Sequence, residues 1–125
     1  MILGTGIDII EVTRIRASHE KFGERFATRI LLPSELAYCM LHKDPAPFIA
    51  ARFAAKEAVS KAFGTGIGAS IGWHDIEVRR RETGEPYLVL HGKGQELFRS
   101  REATRIHVSL SHTLQHATAI SILEK

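Results

Sequence analysis

The chain has 125 residues, 44% of them hydrophobic and 25% charged, which fits one soluble globular domain over 1–125 and leaves no length for a second independent core. No apolar run reaches the roughly 18 residues of a membrane span, the N-terminal Met1-Ile2-Leu3-Gly4 lacks the basic start and cleavage site of a signal peptide, and Cys39 has no second cysteine to pair with. These features lead us to expect a cytoplasmic protein without a membrane partner. The net charge of +3 and the pI near 9.3 favour an anionic partner. With only 7% aromatics and no basic segment interleaved with them, a nucleic-acid platform is disfavoured.

In chain order, Ile2 to Val12 reads as a buried strand. Strand period puts Ile2, Gly4, Gly6, Asp8, Ile10 and Val12 on one face, so Asp8 interrupts an apolar or glycine row. A buried carboxylate needs a cation or several donors, and both a structural and a metal-holding role are open to it. Thr13 is the expected cap of a helix whose Ile15, Phe22, Phe26 and Ile30 recur at helical spacing, with Arg14, Lys21 and Arg25 on another face and Arg29 nearby. This basic stripe is either a solvated face or a docking surface for an acidic helix.

Pro33-Ser34-Glu35 starts a short helix, and a long one is expected from about Ala46 to Phe63. The alanines 51, 54, 55, 58 and 62 form a stripe for close packing. Arg52, Lys56, Glu57, Ser60 and Lys61 run beside it. Glu57 and Lys61 have the spacing of an ordinary surface ion pair. The alternative is that the cations form a phosphate-binding ridge around an acid that holds a metal. Gly64 can stop this helix, and the loop Gly64-Thr65-Gly66-Ile67-Gly68 follows it, so it is neither a Walker loop nor a Rossmann fingerprint.

In the second half, Ile76 to Arg80 and Tyr87 to Leu90 read as a hairpin, Lys93 to Arg101 as a helix, and Ile106 to Ser111 with Ala117 to Leu123 as a last strand pair. Helices followed by a meander indicate an α+β domain. In His107-Val108-Ser109-Leu110-Ser111-His112, strand period separates His107, Ser109 and Ser111 from Val108, Leu110 and His112. A Ser-His hydrolase lacks its G-x-S-x-G elbow here. Anion donors at a strand end fit better.

Together these segments resemble the holo-[acyl-carrier-protein] synthase family of 4'-phosphopantetheinyl transferases. The resemblance rests on Gly6-Ile7-Asp8-Ile9, on Arg52-Phe53-Ala54-Ala55-Lys56-Glu57-Ala58 with Ser60-Lys61-Ala62, on the glycine loop, on Gly84-Glu85-Pro86 and on His107 to His112. It implies transfer of phosphopantetheine from coenzyme A to a serine of apo acyl carrier protein, releasing adenosine 3',5'-bisphosphate, in support of fatty acid biosynthesis. It also implies the family's fold, an N-terminal strand and helices followed by an antiparallel sheet, in a homotrimer with each active site between two subunits.

By the same resemblance Asp8 and Glu57 hold Mg2+. Arg52, Lys61, Gly64, Pro86, Ser111 and His112 contact coenzyme A, and Lys61 and His112 join the two acids in catalysis. Arg14, Lys21, Arg25 and Arg29 receive the carrier protein. Two departures from the family pattern stand out. The segment His42 to Pro47 is poor in basic residues, with Lys43 its one lysine, and Glu85 and Thr113 replace a basic and an acidic residue found in some relatives.

Overall fold

A computed structural model describes residues 1–125. Strand β1 (Ile2–Glu11) leads into helices α1 (Val12–Phe22), α2 (Glu24–Ile30), α3 (Pro33–Met40) and α4 (Ala46–Ala62). A 3₁₀ turn at Trp73–Asp75 precedes the strands β2 (Ile76–Arg80) and β3 (Pro86–Leu90), then helix α5 (Gly92–Ser100), then β4 (Arg105–His112) and β5 (His116–Glu124). The α+β expectation holds.

Two expectations near the N-terminus need correction. Val12 ends no strand: it is fully buried and opens α1, so Thr13 lies inside that helix and Glu11 precedes it. The expected long helix is also broken at Gly23, whose φ of 60° lies in the left-handed region where glycine is unstrained. Phe22, read as a core position, is the last residue of α1 and is 52% exposed instead.

The sheet is antiparallel, in the order β1-β5-β4, so the first strand pairs with the last; β2 and β3 form a separate hairpin. Helix α4 packs across one face of this sheet, and its Ala51, Ala54, Ala55, Ala58 and Ala62 are all buried, as the small-residue stripe required. The approach is closest at β1. A methyl group on Gly6 would sit 1.8 Å from the Ala58 carbonyl oxygen, and one on Gly4 would sit 2.0 Å from that of Ala62. The two glycines therefore set the distance between strand and helix, and with it the position of Asp8.

Inside the protein, Lys56 is fully buried and donates to the Glu35 carboxylate at 2.7 Å, to the Ile30 carbonyl at 2.6 Å and to the Trp73 carbonyl at 3.0 Å. Glu35 in turn accepts the backbone N–H groups of Leu32 and Val78. One ion pair thus ties α2, α3, the 3₁₀ turn and β2 to α4. Burial of this kind is tolerable only because every charge-bearing atom has partners. Lys56 is therefore no part of a phosphate-binding ridge, and that expectation is withdrawn for it.

Candidate active site

Asp8 lies on the α4-facing side of β1. Its Oδ1 accepts from Lys61 Nζ at 3.3 Å, and Lys61 also donates to the Ile7 carbonyl at 3.0 Å. The surface pair Glu57–Lys61 is thus replaced by a pair across the strand–helix contact. Asp8 Oδ2 is buried and has no partner. Glu57 is half-buried nearby, and its carboxyl titrates above the usual range. Burial is the larger cause, the negative charge of Asp8 adds to it, and Lys61 opposes both.

Two neighbouring acids, Asp8 with an orphaned oxygen and Glu57 with its ionisation opposed by burial and by Asp8, are an incomplete arrangement. A hard divalent cation between them would supply the missing partner. No group of three or more His, Cys, Asp or Glu side chains comes together in the fold. Such a cation would therefore draw most of its coordination from water and substrate oxygens. Lys61 is about half exposed. Its ammonium carries three donors and uses two, leaving one for an anion beside the acids.

Past Lys61, α4 ends at Phe63, and Gly64 turns the chain with a φ of 80°. The Thr65 and Gly66 N–H groups both return to the Ser60 carbonyl. A methyl group on Gly64 would meet nothing within 4 Å, so this backbone is open to close approach.

The remaining expected residues gather elsewhere. Arg52, Pro86 and His112 line a cleft of about 210 Å³ together with Phe48, Arg80 and Gly84. Sheet register explains the separation. Asp8 is level with Ala119 and Leu110, while Ile10 is level with Ala117 and His112, so Asp8 and His112 stand on the two outer strands. Two strand spacings, roughly 10 Å, and helix α4 lie between them. The expected residues thus fall into two groups on opposite flanks of α4.

Ser111 belongs to neither group. The strand alternation turns it to the sheet face away from α4, level with Thr118 and Ile9. That face is open: Ile7 and Ile9 are 65% and 67% exposed, and Ile120 is 41% exposed. Such a cluster of exposed β-branched side chains on a sheet is a mark of an interaction surface.

Arg52 is only 3% exposed. It reaches the Phe48 carbonyl at 3.5 Å and lies over the Tyr38 ring at 4.3 Å, and its Nε has no partner. His112 meets Phe48 edge-on at 5.4 Å, and His42 stacks on the same ring at 3.5 Å. The sequence reading singles out none of Tyr38, Phe48 and Arg80, since an aromatic in a helix or an arginine in a hairpin has no local signature.

On a third surface, Arg25 and Arg29 edge a groove of about 410 Å³ floored by Phe22 and Phe26. Arg14 and Lys21 are exposed on the preceding helix.

The comparisons bear on the whole chain. A model of the 4'-phosphopantetheinyl transferase superfamily matches residues 4–120. The holo-[acyl-carrier-protein] synthase of Koribacter versatilis is 50% identical over 124 residues, covering 99% of both chains. The crystal structure of the holo-[acyl-carrier-protein] synthase from Neisseria meningitidis superposes with a TM-score of 0.92 at 34% identity, covering 100% of both chains. That of the Helicobacter pylori holo-[acyl-carrier-protein] synthase in complex with coenzyme A does so with a TM-score of 0.86 at 32% identity, covering 96% of this chain and 99% of the other. With its fold and nearly its whole length matched by these proteins, the chain belongs to the 4'-phosphopantetheinyl transferase superfamily.

Proposed function

We propose that this protein is a holo-[acyl-carrier-protein] synthase, a magnesium-dependent enzyme that moves 4'-phosphopantetheine from coenzyme A to a serine of apo acyl carrier protein. The observation that carries the reading is the Asp8–Glu57–Lys61 group, two acids short of a cation beside a lysine with a donor to spare. The setting would be cytoplasmic fatty acid biosynthesis.

In the reaction the serine oxygen bonds to the β-phosphorus of the coenzyme's pyrophosphate as the bond from that phosphorus to the bridging oxygen breaks. Adenosine 3',5'-bisphosphate leaves with the electron pair. Asp8 and Glu57 would hold the metal, which would supply charge neutralisation for the pyrophosphate. Lys61 directs its free donor at the bridging oxygen as negative charge grows there. Glu57 would accept the proton of the serine hydroxyl, directly or through a water. A Glu57→Gln variant that retains full metal occupancy and normal transfer would remove Glu57 from that role.

The half-sites on opposite flanks of α4 are reconciled by assembly. In a head-to-tail ring, the Arg52–Pro86–His112 cleft of one protomer faces the Asp8–Glu57–Lys61 group of the next. The cofactor then spans two protomers, with Gly64 allowing its close approach and His112 orienting it. Three copies would close the ring, with the open sheet face of Ile7, Ile9 and Ile120 turned inward and Ser111 brought against the neighbour. Arg14, Lys21, Arg25 and Arg29 would steer the acidic carrier protein to the Phe22–Phe26 groove.

The test is a mass measurement. Incubation with coenzyme A, Mg2+ and an apo carrier protein should raise the carrier's mass by one phosphopantetheine, and EDTA should abolish the gain. No gain with any of several carriers would refute the reading. Sedimentation should return a trimer; a monomer with full activity would refute the shared site.

A further inference from the structure

We propose that Lys93, at the start of α5, is a positioning residue for coenzyme binding: it holds the glycine loop in the shape that presents the open Gly64 backbone; this rests on the transferase reading above. The loop from Gly64 to Ile71 is fixed at its two ends. The Thr65 and Gly66 N–H groups bond to the Ser60 carbonyl, and Ile71 is fully buried. Its middle is loosely held. Ile67 packs partly against the core around Phe63, while Gly68, Ala69 and Ser70 are exposed. The Gly68 N–H bonds only to the Ile71 carbonyl, within the loop itself. Lys93 Nζ donates to the Ala69 carbonyl at 2.9 Å, and this is the one hydrogen bond that joins residues 67–70 to another element.

Lys93 is poorly placed for its own helix. A cation in the first turn opposes the helix dipole, and α5 has no acid there to offset it. Glu96, three residues on, is the ordinary partner for such a lysine. It lines the same shallow cavity of about 390 Å³ as Ala69, Ser70 and Lys93, yet the ammonium bonds to the Ala69 carbonyl instead.

The base from which Lys93 reaches is closely seated. A methyl group on Gly94 would lie 2.7 Å from the Asp75 carbonyl oxygen and 3.3 Å from Ile71 Cδ1. The His91 N–H donates to that same Asp75 carbonyl at 2.9 Å. Helix α5 therefore rests on the 3₁₀ turn and on the residue that ends the loop, and from there Lys93 spans to the loop's middle. A loop already held in one shape loses less freedom when a ligand arrives. Lys93 supplies that restraint from outside the ligand's reach, so its loss falls on coenzyme affinity and not on the chemical step.

The experiment is Lys93→Met, which keeps the side chain's length and removes the donor. In transfer assays with Mg2+ and an apo carrier protein it should raise KM for coenzyme A roughly 3–10-fold, the weight of one hydrogen bond, with kcat and the carrier's KM within about twofold of wild type. Lys93→Arg can still donate to Ala69 and should restore the wild-type KM. In the ligand-free protein, NMR order parameters at residues 67–70 should fall in Lys93→Met and not in Lys93→Arg. Lys93 is exposed, so melting temperatures should match the wild type. A wild-type coenzyme KM in Lys93→Met would overturn the role, whether or not the loop loosens. So would a fall in kcat and melting temperature together, which would make Lys93 a general structural tie. Either result with normal transfer by the wild type leaves the transferase reading intact. A wild type that neither transfers nor binds coenzyme A in a calorimetric titration would overturn both.

Discussion

The sharpest consequence of this fold concerns a residue with no side chain. In Gly6→Ala the added methyl would lie 1.8 Å from the Ala58 carbonyl oxygen and 2.8 Å from both the Ala58 carbonyl carbon and the Ala62 nitrogen. All three are backbone atoms of α4, so no rotamer relieves the clash. Carbon–oxygen contacts of this kind settle at roughly 3.3 Å, so strand and helix must part by about 1.5 Å. Asp8 is two residues further along the same face and moves with the strand, and its 3.3 Å contact to Lys61 is lost. Overpacking of this order costs about 3 kcal/mol. For a chain of this size that is a fall of about 10 °C in melting temperature. A displacement of 1 Å at a reacting group costs on the order of 100-fold in rate. Thermal denaturation and transfer kinetics on Gly6→Ala measure both. Wild-type values for either would mean that the strand–helix distance does not position the acid.

Asp8→Asn should leave the metal-free stability within about 1 kcal/mol of wild type, because only a part-exposed ion pair is lost. It should abolish Mg2+ binding by calorimetry and bring Glu57 down towards its ordinary titration range by NMR, burial alone remaining to raise it. In the wild type a raised Glu57 keeps its proton to higher pH when folded than when unfolded. Its contribution to metal-free stability therefore falls as pH rises through that interval, whereas Mg2+ affinity rises. Lys56→Met should cost about 3–5 kcal/mol in chemical denaturation, since it leaves Glu35 buried and uncompensated. Glu77 titrates at about 2, held down first by Arg79 and then by His91 and Ser34. Its stabilisation is complete above the ordinary glutamate value and is lost as pH falls through about 2. With both Arg79 and His91 nearly half exposed, we expect about 1–2 kcal/mol, absent in Glu77→Gln. Arg14→Glu with Arg25→Glu should weaken carrier-protein binding at least tenfold without altering coenzyme A affinity; equal loss of both would refute the docking surface.

Most elements were legible because each carries a local signal. Helix α4 announces itself by its alanine stripe, the β2–β3 hairpin by Thr83-Gly84, and α3 by Pro33 at its start. What was not legible depends on distant partners. Nothing in Ile2–Glu11 indicates that it pairs with His116–Glu124, and Gly23 differs in sequence from a glycine tolerated within a helix only by the turn that follows it. Lys56 and Glu57 are adjacent, equally charged in magnitude and equally plausible on a helical wheel. One becomes a buried structural tie because Glu35 reaches it from α3, the other a half-buried acid because Asp8 stands across from it.

The candidate site shows the same division more strongly. The motif on α4 contains both Arg52 and Glu57, and a motif reads as one site. Five residues of helix, however, rotate by about 140°, so the two side chains leave α4 on different flanks. Sheet register then fixes Asp8 beside one flank and His112 beside the other. No contact within a single chain closes that gap. A sequence pattern that is continuous along the helix thus falls on two flanks of the folded chain, and the open face of Ile7, Ile9 and Ile120 lies on the same sheet whose outer strands carry Asp8 and His112. If assembly through that face joins them, Ile7→Lys should disperse the oligomer and lose transfer together, while each protomer keeps its own Lys56–Glu35 core and melts cooperatively. Dispersed protomers with full transfer would show that each flank acts alone.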